Sequence, residues 1–193
     1  MIRGGSLALR RWAAWTPRWR VDVSVLALYI LLAVIIIDHG VNVTTMLSGE
    51  GMDPVDDIWF LSWWPYALTH HLDPLFTHLV WQPVGVCLGW VTSVPALSIL
   101  VWPITVYFGP VLSYNLLIMT APALSAWCAY LLFRHVTASV AAAIVGGVFF
   151  GFSNYAMAQD GSALNLAFTA SLPLLCLYSL RRITGLTSRS SLH

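Results

Sequence analysis

Residues 21–37 read VDVSVLALYILLAVIII, an unbroken apolar run whose one charged side chain, Asp22, stands at its start. As a helix this run is about 25 Å long, close to the ~30 Å hydrocarbon core of a bilayer. It follows Arg10, Arg11, Arg18 and Arg20, as a secretory signal would. No small-x-small cleavage site comes after it, and the arginine pair in LRRWAAW lacks the rest of a twin-arginine signal. The run therefore reads as a retained first membrane span.

The rest of the chain agrees. Of its 193 residues 59% are hydrophobic and 9% charged, against about 25% charged in a soluble domain. So little charge cannot cover a water-facing globule, whereas helices in lipid need far less. A net charge of +1 gives no electrostatic footprint for nucleic acid or an acidic partner. Cys87, Cys128 and Cys176 are few and widely spaced, which argues against a disulfide framework or a zinc site.

Further apolar runs lie at about 113–133, 139–158 and 163–180. A shorter one at 93–108 carries Pro95 and Pro103 and reads as re-entrant or surface-lying. With four spans and both ends in the cytoplasm, all nine arginines (there is no Lys) stay on the cytoplasmic side, as basic residues tend to do. Seven of the eight acids then fall outside or at the outer boundary: Asp38, Glu50, Asp53, Asp56, Asp57, Asp73 and Asp160. Asp22 is the exception. The expected fold is all-α, a polytopic transmembrane helical bundle with interfacial or re-entrant helices in a long first extracytoplasmic loop. The expected divisions are a basic cytoplasmic N-terminus 1–20, a transmembrane domain 21–180 with its loop at 38–112, and a cytoplasmic tail 181–193. The expected location is the inner (cytoplasmic) membrane.

Tryptophans support that layout. Trp12, Trp15 and Trp19 precede the first span, and Trp59, Trp63, Trp64, Trp81, Trp90 and Trp102 crowd the loop. Indoles favour the headgroup layer, ring in lipid and N–H in water. Residues 58–71 thus read as a surface helix, bent or broken near Pro65. Asp53, Asp56 and Asp57 stand at its head. There, Asp56 or Asp57 can simply cap the helix, or one of the three acids can act as a general base beside the membrane, its pKa raised by the nearby lipid. His70, His71 and His78 share the loop, but adjacent histidines on a helix diverge and lack the one-turn spacing of zinc ligands. Asp38-His39 reads as a boundary marker. Asn42-Val-Thr44 matches a glycan acceptor pattern, which matters only in a eukaryotic secretory setting. Gly146, Gly147 and Gly151 allow close helix packing. Tyr114, Asn115, Asn154 and Asn165 are polar groups near span ends, and Asn154, Asp160 and Asn165 can face the loop acids across a shared cavity.

The stretches DPVDDIWFLSWWPYAL (53–68), WQPVGVCLGWVTSVPALSIL (81–100), FGPVLSYNLL (108–117), APALSAWCAYLLFRHVT (121–137) and FGFSNYAMAQ (150–159) carry a resemblance. Over about residues 20–180 the chain is similar to the N-terminal half of GT-C superfamily membrane glycosyltransferases, in particular to bacterial multi-spanning proteins. The resemblance implies transfer of a sugar from a polyprenyl-phosphate donor to an acceptor on the extracytoplasmic face. It implies a first-loop aspartate as base: Asp53 first, for its Asp-Pro position, then Asp57 with Asp56. It also implies donor and acceptor contacts from the loop helices, for which Trp59, Trp63, His70, His71 and Asn165 are the candidates. A divalent metal ion is allowed and not required; no other cofactor and no metal ligand is expected. Two positions depart from the pattern. Cys87 stands where Asn is expected, and Ala163 lies near where His is expected, both facing the outer cavity. Such enzymes are longer, so the chain is expected to be a front portion, a truncated frame or a subunit with a separate C-terminal partner. The contrasting reading is a non-catalytic or transporter-like membrane protein, or an inactive remnant. Acids placed in the loop rather than at span centres weigh against a transporter.

Overall fold

A computed structural model describes residues 19–37, 42–48, 53–159 and 163–190, except the side chains of 184–190. The N-terminal segment with Arg10, Arg11, Arg18, Trp12 and Trp15 lies outside the described residues, as do Asp38-His39, Glu50, Asp160 and the Arg189 side chain.

The fold is mostly helical. In chain order the elements are α1 (Trp19–Ile37), α2 (Asp53–Thr69), strands β1 (Phe76–Thr77) and β2 (Val86–Cys87), a 3-10 turn (Leu88–Trp90), α3 (Pro95–Phe108), α4 (Pro110–Thr137), α5 (Val140–Gly151), α6 (Asn154–Gln159), α7 (Leu164–Ala167) and α8 (Ser171–Ser190). Among the described residues four stretches are long and apolar enough to cross a membrane: Trp19–Ile37, Pro110–Thr137, Val140–Gln159 and Leu164–Ile183. These coincide with the four runs expected from sequence. The third and fourth are each interrupted, near residues 152–153 and 168–170. The last helix continues past Leu180 through Arg181 and Arg182 instead of ending there. The 93–108 run forms a 14-residue helix, about 21 Å long and short of a bilayer core.

By internal contacts the chain separates into two units. One holds α1, residues 120–157 and residues 168–193. Here the glycines let helices touch. A Cβ on Gly147 would collide with the Tyr29 hydroxyl and lie 2.7 Å from Ala126 O, and one on Gly151 would meet the Pro122 carbonyl and lie 2.5 Å from the Ala126 backbone nitrogen. Tyr29 donates from its hydroxyl to Ile144 O at 2.9 Å, tying α1 to α5. Near one end of α1, buried Asp22 forms an ion pair with Arg134 of α4. It also accepts the Tyr130 hydroxyl at 2.9 Å, and its backbone carbonyl accepts Trp127 Nε1 at 3.0 Å. The acid that stands apart from the other seven in sequence is thus accounted for by Arg134.

The second unit comprises residues 38–119 and 158–167. Its centre is α2 against α3. Trp64 Nε1 donates to Ser93 O at 2.8 Å and Ser98 Oγ to Phe60 O at 3.3 Å. Trp63, Trp64, Ala67 and Leu88 form a buried apolar cluster, flanked by Trp59, Phe60 and Val86. Fully buried Asn115 holds the 42–48 segment: its Nδ2 donates to Val43 O and Met46 O, each at 2.7 Å, and its Oδ1 accepts the Ser48 N–H at 2.9 Å. Asn42 Oδ1 is itself taken by the N–H and hydroxyl of Thr44, closing a local turn.

Two local differences from the sequence expectation concern α2. It begins at Asp53 rather than near Ile58, and it continues through Pro65. The Asp-Pro start explains the first, since proline suits the first helical turn, where N–H groups have no partner within the helix. For the second, the buried position of Pro65 within the α2–α3 pairing supplies packing that offsets a missing helical bond. The loop also contains an element sequence periodicity did not reveal, the antiparallel pair β1–β2 with Phe76 opposite Cys87 and Thr77 opposite Val86.

Candidate functional site: an acid-lined cleft

Positions 53, 56 and 57 are spaced three and four apart, so on a helix they share one face. In α2 that face borders a cleft of about 470 Å³, with all three aspartates in its wall. Asp53 and Asp56 are exposed, while Asp57 is 5% exposed. Because the helix starts at Asp53, neither Asp56 nor Asp57 is its cap; both lie within it, close enough to its start to feel the favourable end of the dipole. Trp59 adds an indole to the same wall, and Trp81, Val86 and Leu88 form an apolar side. Ala163 and Asn165, around α7, complete the lining.

Asp57 is distinguished by its surroundings. Its Oδ2 accepts the backbone N–H of Leu164 at 3.1 Å, the first residue of α7 and a donor that a helix cannot satisfy internally. Burial pushes its carboxyl from 3.8 up to about 6. The Leu164 hydrogen bond pulls the other way, and the charges of Asp53 and Asp56 add to the rise. A carboxylate titrating near 6 can hold or release a proton at neutral pH, the property a general base or acid requires. A mostly apolar lining with a few polar groups is also the usual character of a ligand cleft of this size.

The remaining sequence candidates divide. Trp59 and Asn165 line the cleft. Trp63 does not: it is buried behind Trp59, their rings stacked with centroids 5.4 Å apart, and its Nε1 donates to Pro74 O at 3.0 Å. His70 and His71 lie beyond the far end of α2, about 25 Å along the helix from Asp53. There His70 stacks on Tyr66 at 4.1 Å, and His71 takes a left-handed backbone (φ 55) after the helix stops. Of the two departing positions, Ala163 borders the cleft, while exposed Cys87 is not among its lining residues although Val86 and Leu88 on either side are. Asn154 belongs to the other unit. Among the described residues no three His, Cys, Asp or Glu side chains converge as a metal-binding set.

Sequence reasoning passed over Trp81 and Leu164. Trp81 read only as one more interfacial indole, and its place in the cleft with the acids depends on the β1–β2 pairing. Leu164 contributes through its main chain, which leaves no trace in side-chain identity. Comparison of the chain with protein-family models, with curated proteins and with solved structures finds no match.

Proposed function

We propose that the chain is a membrane glycosyltransferase of GT-C type, or the N-terminal portion of one. In this reading it transfers a sugar from a polyprenyl-phosphate donor to an acceptor hydroxyl on the extracytoplasmic face of the cell's inner membrane. The observation that carries the reading is the cleft that Asp57, its carboxyl pushed up to about 6 by burial, lines together with apolar side chains and two further acids. A polar headgroup with an apolar tail suits such a lining. The reaction has a simple balance. The acceptor oxygen bonds to the anomeric carbon, the bond from that carbon to the phosphate oxygen breaks, polyprenyl phosphate leaves with the electron pair, and the acceptor proton passes to Asp57. Although the Asp-Pro position recommends Asp53 by resemblance, Asp57 fits the base role better. It is the acid whose burial brings its titration toward neutrality. Asp53 and Asp56 then act on it through their charge. Trp59 and Asn165 are placed to contact the sugar or its phosphate.

The test is transfer of radiolabelled sugar from a polyprenyl-phosphate donor by membranes containing the full chain. Activity lost in Asp57→Asn and kept in part by Asp53→Asn supports the assignment; loss in Asp53→Asn alone moves the base to Asp53, and transfer by neither the parent chain nor its variants removes the reading of this chain as an enzyme by itself. Orientation is tested separately, by a tag inserted near Asp56 that must be reachable from outside intact cells.

A second reading is a transporter-like protein. One observation favours it: Asp22, Tyr130 and Arg134 make a buried polar network between helices long enough to span a membrane, and such groups in spans are functional candidates. The position of Asp22 in the first turn of α1 and of Arg134 in the last turn of α4 suits a fastening between helix ends better than a transport path. Flux of a labelled solute in proteoliposomes, abolished by Arg134→Met, would favour transport instead.

A further inference from the structure

The β1–β2 hairpin presents apolar side chains outward at places where a water-facing turn would carry polar ones. Trp81 and Val84 are each 78% exposed, Leu79 is 61% exposed, and Trp90, just after the hairpin, is 90% exposed. These are held outward by backbone geometry. Trp81 sits in the left-handed region (φ 56), an unusual place for a bulky residue, and its carbonyl accepts the Gly85 N–H at 3.0 Å. Gly85 itself is at φ +77, and a Cβ there would lie 2.7 Å from Thr77 O. Thr77 Oγ1 takes the Leu79 N–H at 3.1 Å, and Leu88 N–H reaches Leu75 O at 2.7 Å, so both legs are pinned.

From these observations we infer that the hairpin tip inserts into a lipid leaflet, with Trp81 and Val84 in the headgroup and upper acyl layer and Trp90 at its edge. Three features select lipid over a protein partner. Residues 74–133 contain no Asp, Glu, Lys or Arg, so the hairpin carries no charged side chain of its own, whereas the rim of a protein interface is polar. Two of its largest side chains are tryptophans, which partition to the bilayer boundary. The same uncharged stretch continues into α3, where Leu100, Tyr107 and Phe108 are also exposed, and into a helix long enough to span. Since Trp81 also lines the acid cleft, insertion brings that cleft to the edge of the leaflet. The hairpin rests in lipid whether or not sugar transfer is the reaction.

The experiment uses the full chain in phosphatidylcholine vesicles, with Cys87, Cys128 and Cys176 replaced by Ala. A single cysteine introduced as Trp81→Cys or Val84→Cys carries an environment-sensitive fluorophore. Insertion predicts a blue-shifted emission that is lost when nitroxide-bearing phospholipids are included and unaffected by aqueous iodide. Loss to iodide instead would overturn the inference, and so would protection from both quenchers, which would mean that protein covers the hairpin. A second measurement spares the turn: the Trp81→Phe/Trp90→Phe chain, with native cysteines, should show a smaller share of tryptophan emission quenched by brominated lipid than the parent. An unchanged share would also overturn it.

Discussion

Asp57 and Leu164, 107 positions apart, are joined by a carboxylate oxygen accepting a backbone N–H at 3.1 Å. The contact separates two roles that substitutions can distinguish. Asn at position 57 keeps an oxygen for the Leu164 N–H but has no basicity, whereas Ala removes both. Under the proposed reaction, Asp57→Asn should not destabilise the chain in detergent, and at neutral pH should raise its thermal midpoint because no charge is then buried, while it lowers transfer by roughly 100-fold or more, the scale of losing a general base. Asp57→Ala should lose the activity and also be less stable than Asp57→Asn, by about 1–3 kcal/mol for the unsatisfied buried donor. An Asp57→Asn chain that is fully active would exclude Asp57 from proton transfer.

The position of the Asp57 titration gives stability and activity opposite pH slopes. Its carboxyl moves from 3.8 to about 6 on folding. Between those values the folded chain keeps a proton that the unfolded chain has released, so stability falls as pH rises through this window and levels off above about 6. The unprotonated form, needed as a base, grows over the same interval, so transfer rate should rise toward a plateau above about 6. Paired measurements of unfolding midpoint and rate across pH check both signs. In Asp57→Asn the stability slope in this window should flatten.

The four long helices were legible because an apolar run of this length is seldom anything but a membrane span. The acids were legible as a group because a helix of any start places 53, 56 and 57 on one face. What remained hidden depended on contacts distant in sequence. Asp57 is set apart from Asp53 and Asp56 by burial and by the Leu164 N–H, neither of which a local pattern encodes. Two-residue strands are too short to leave an alternating pattern, so Trp81 could not be placed in the cleft with the acids. His70 and His71 shared the loop with the aspartates in sequence, but a helix of 17 residues separates its ends.

The three glycines of α5 should not respond alike to alanine. At Gly146 the three atoms nearest the added methyl all belong to the Phe133 ring, the first at 2.6 Å, and a ring can rotate or shift. At Gly151 it meets the Pro122 carbonyl and, at 2.5 Å, the Ala126 backbone nitrogen, and at Gly147 the Tyr29 hydroxyl and, at 2.7 Å, Ala126 O. Backbone cannot yield without moving α4. Gly147→Ala and Gly151→Ala should each cost about 1–3 kcal/mol, the range for overfilling a close-packed core, with Gly146→Ala below them. Unfolding of the purified chains in one detergent gives the order; a Gly146→Ala penalty as large as the other two would contradict the contact assignment.

Asp22 and Arg134 form a buried pair, and its two charges should depend on each other. Removing one partner strands a charge among apolar helices, so Asp22→Leu or Arg134→Met alone should destabilise by about 3–5 kcal/mol. Removing both leaves no charge to strand, and apolar replacements of similar volume for a buried pair are often neutral. The Asp22→Leu/Arg134→Met chain should therefore recover most of the loss, although the Tyr130 hydroxyl, which donates to Asp22 at 2.9 Å, gives up that acceptor; adding Tyr130→Phe removes this residual cost. A double-mutant cycle on unfolding free energies measures the coupling directly. If the two single losses simply add in the double variant, the groups are not partners. A large coupling with unchanged solute flux would identify the pair as a fastening between α1 and α4 and leave the transporter reading without its support.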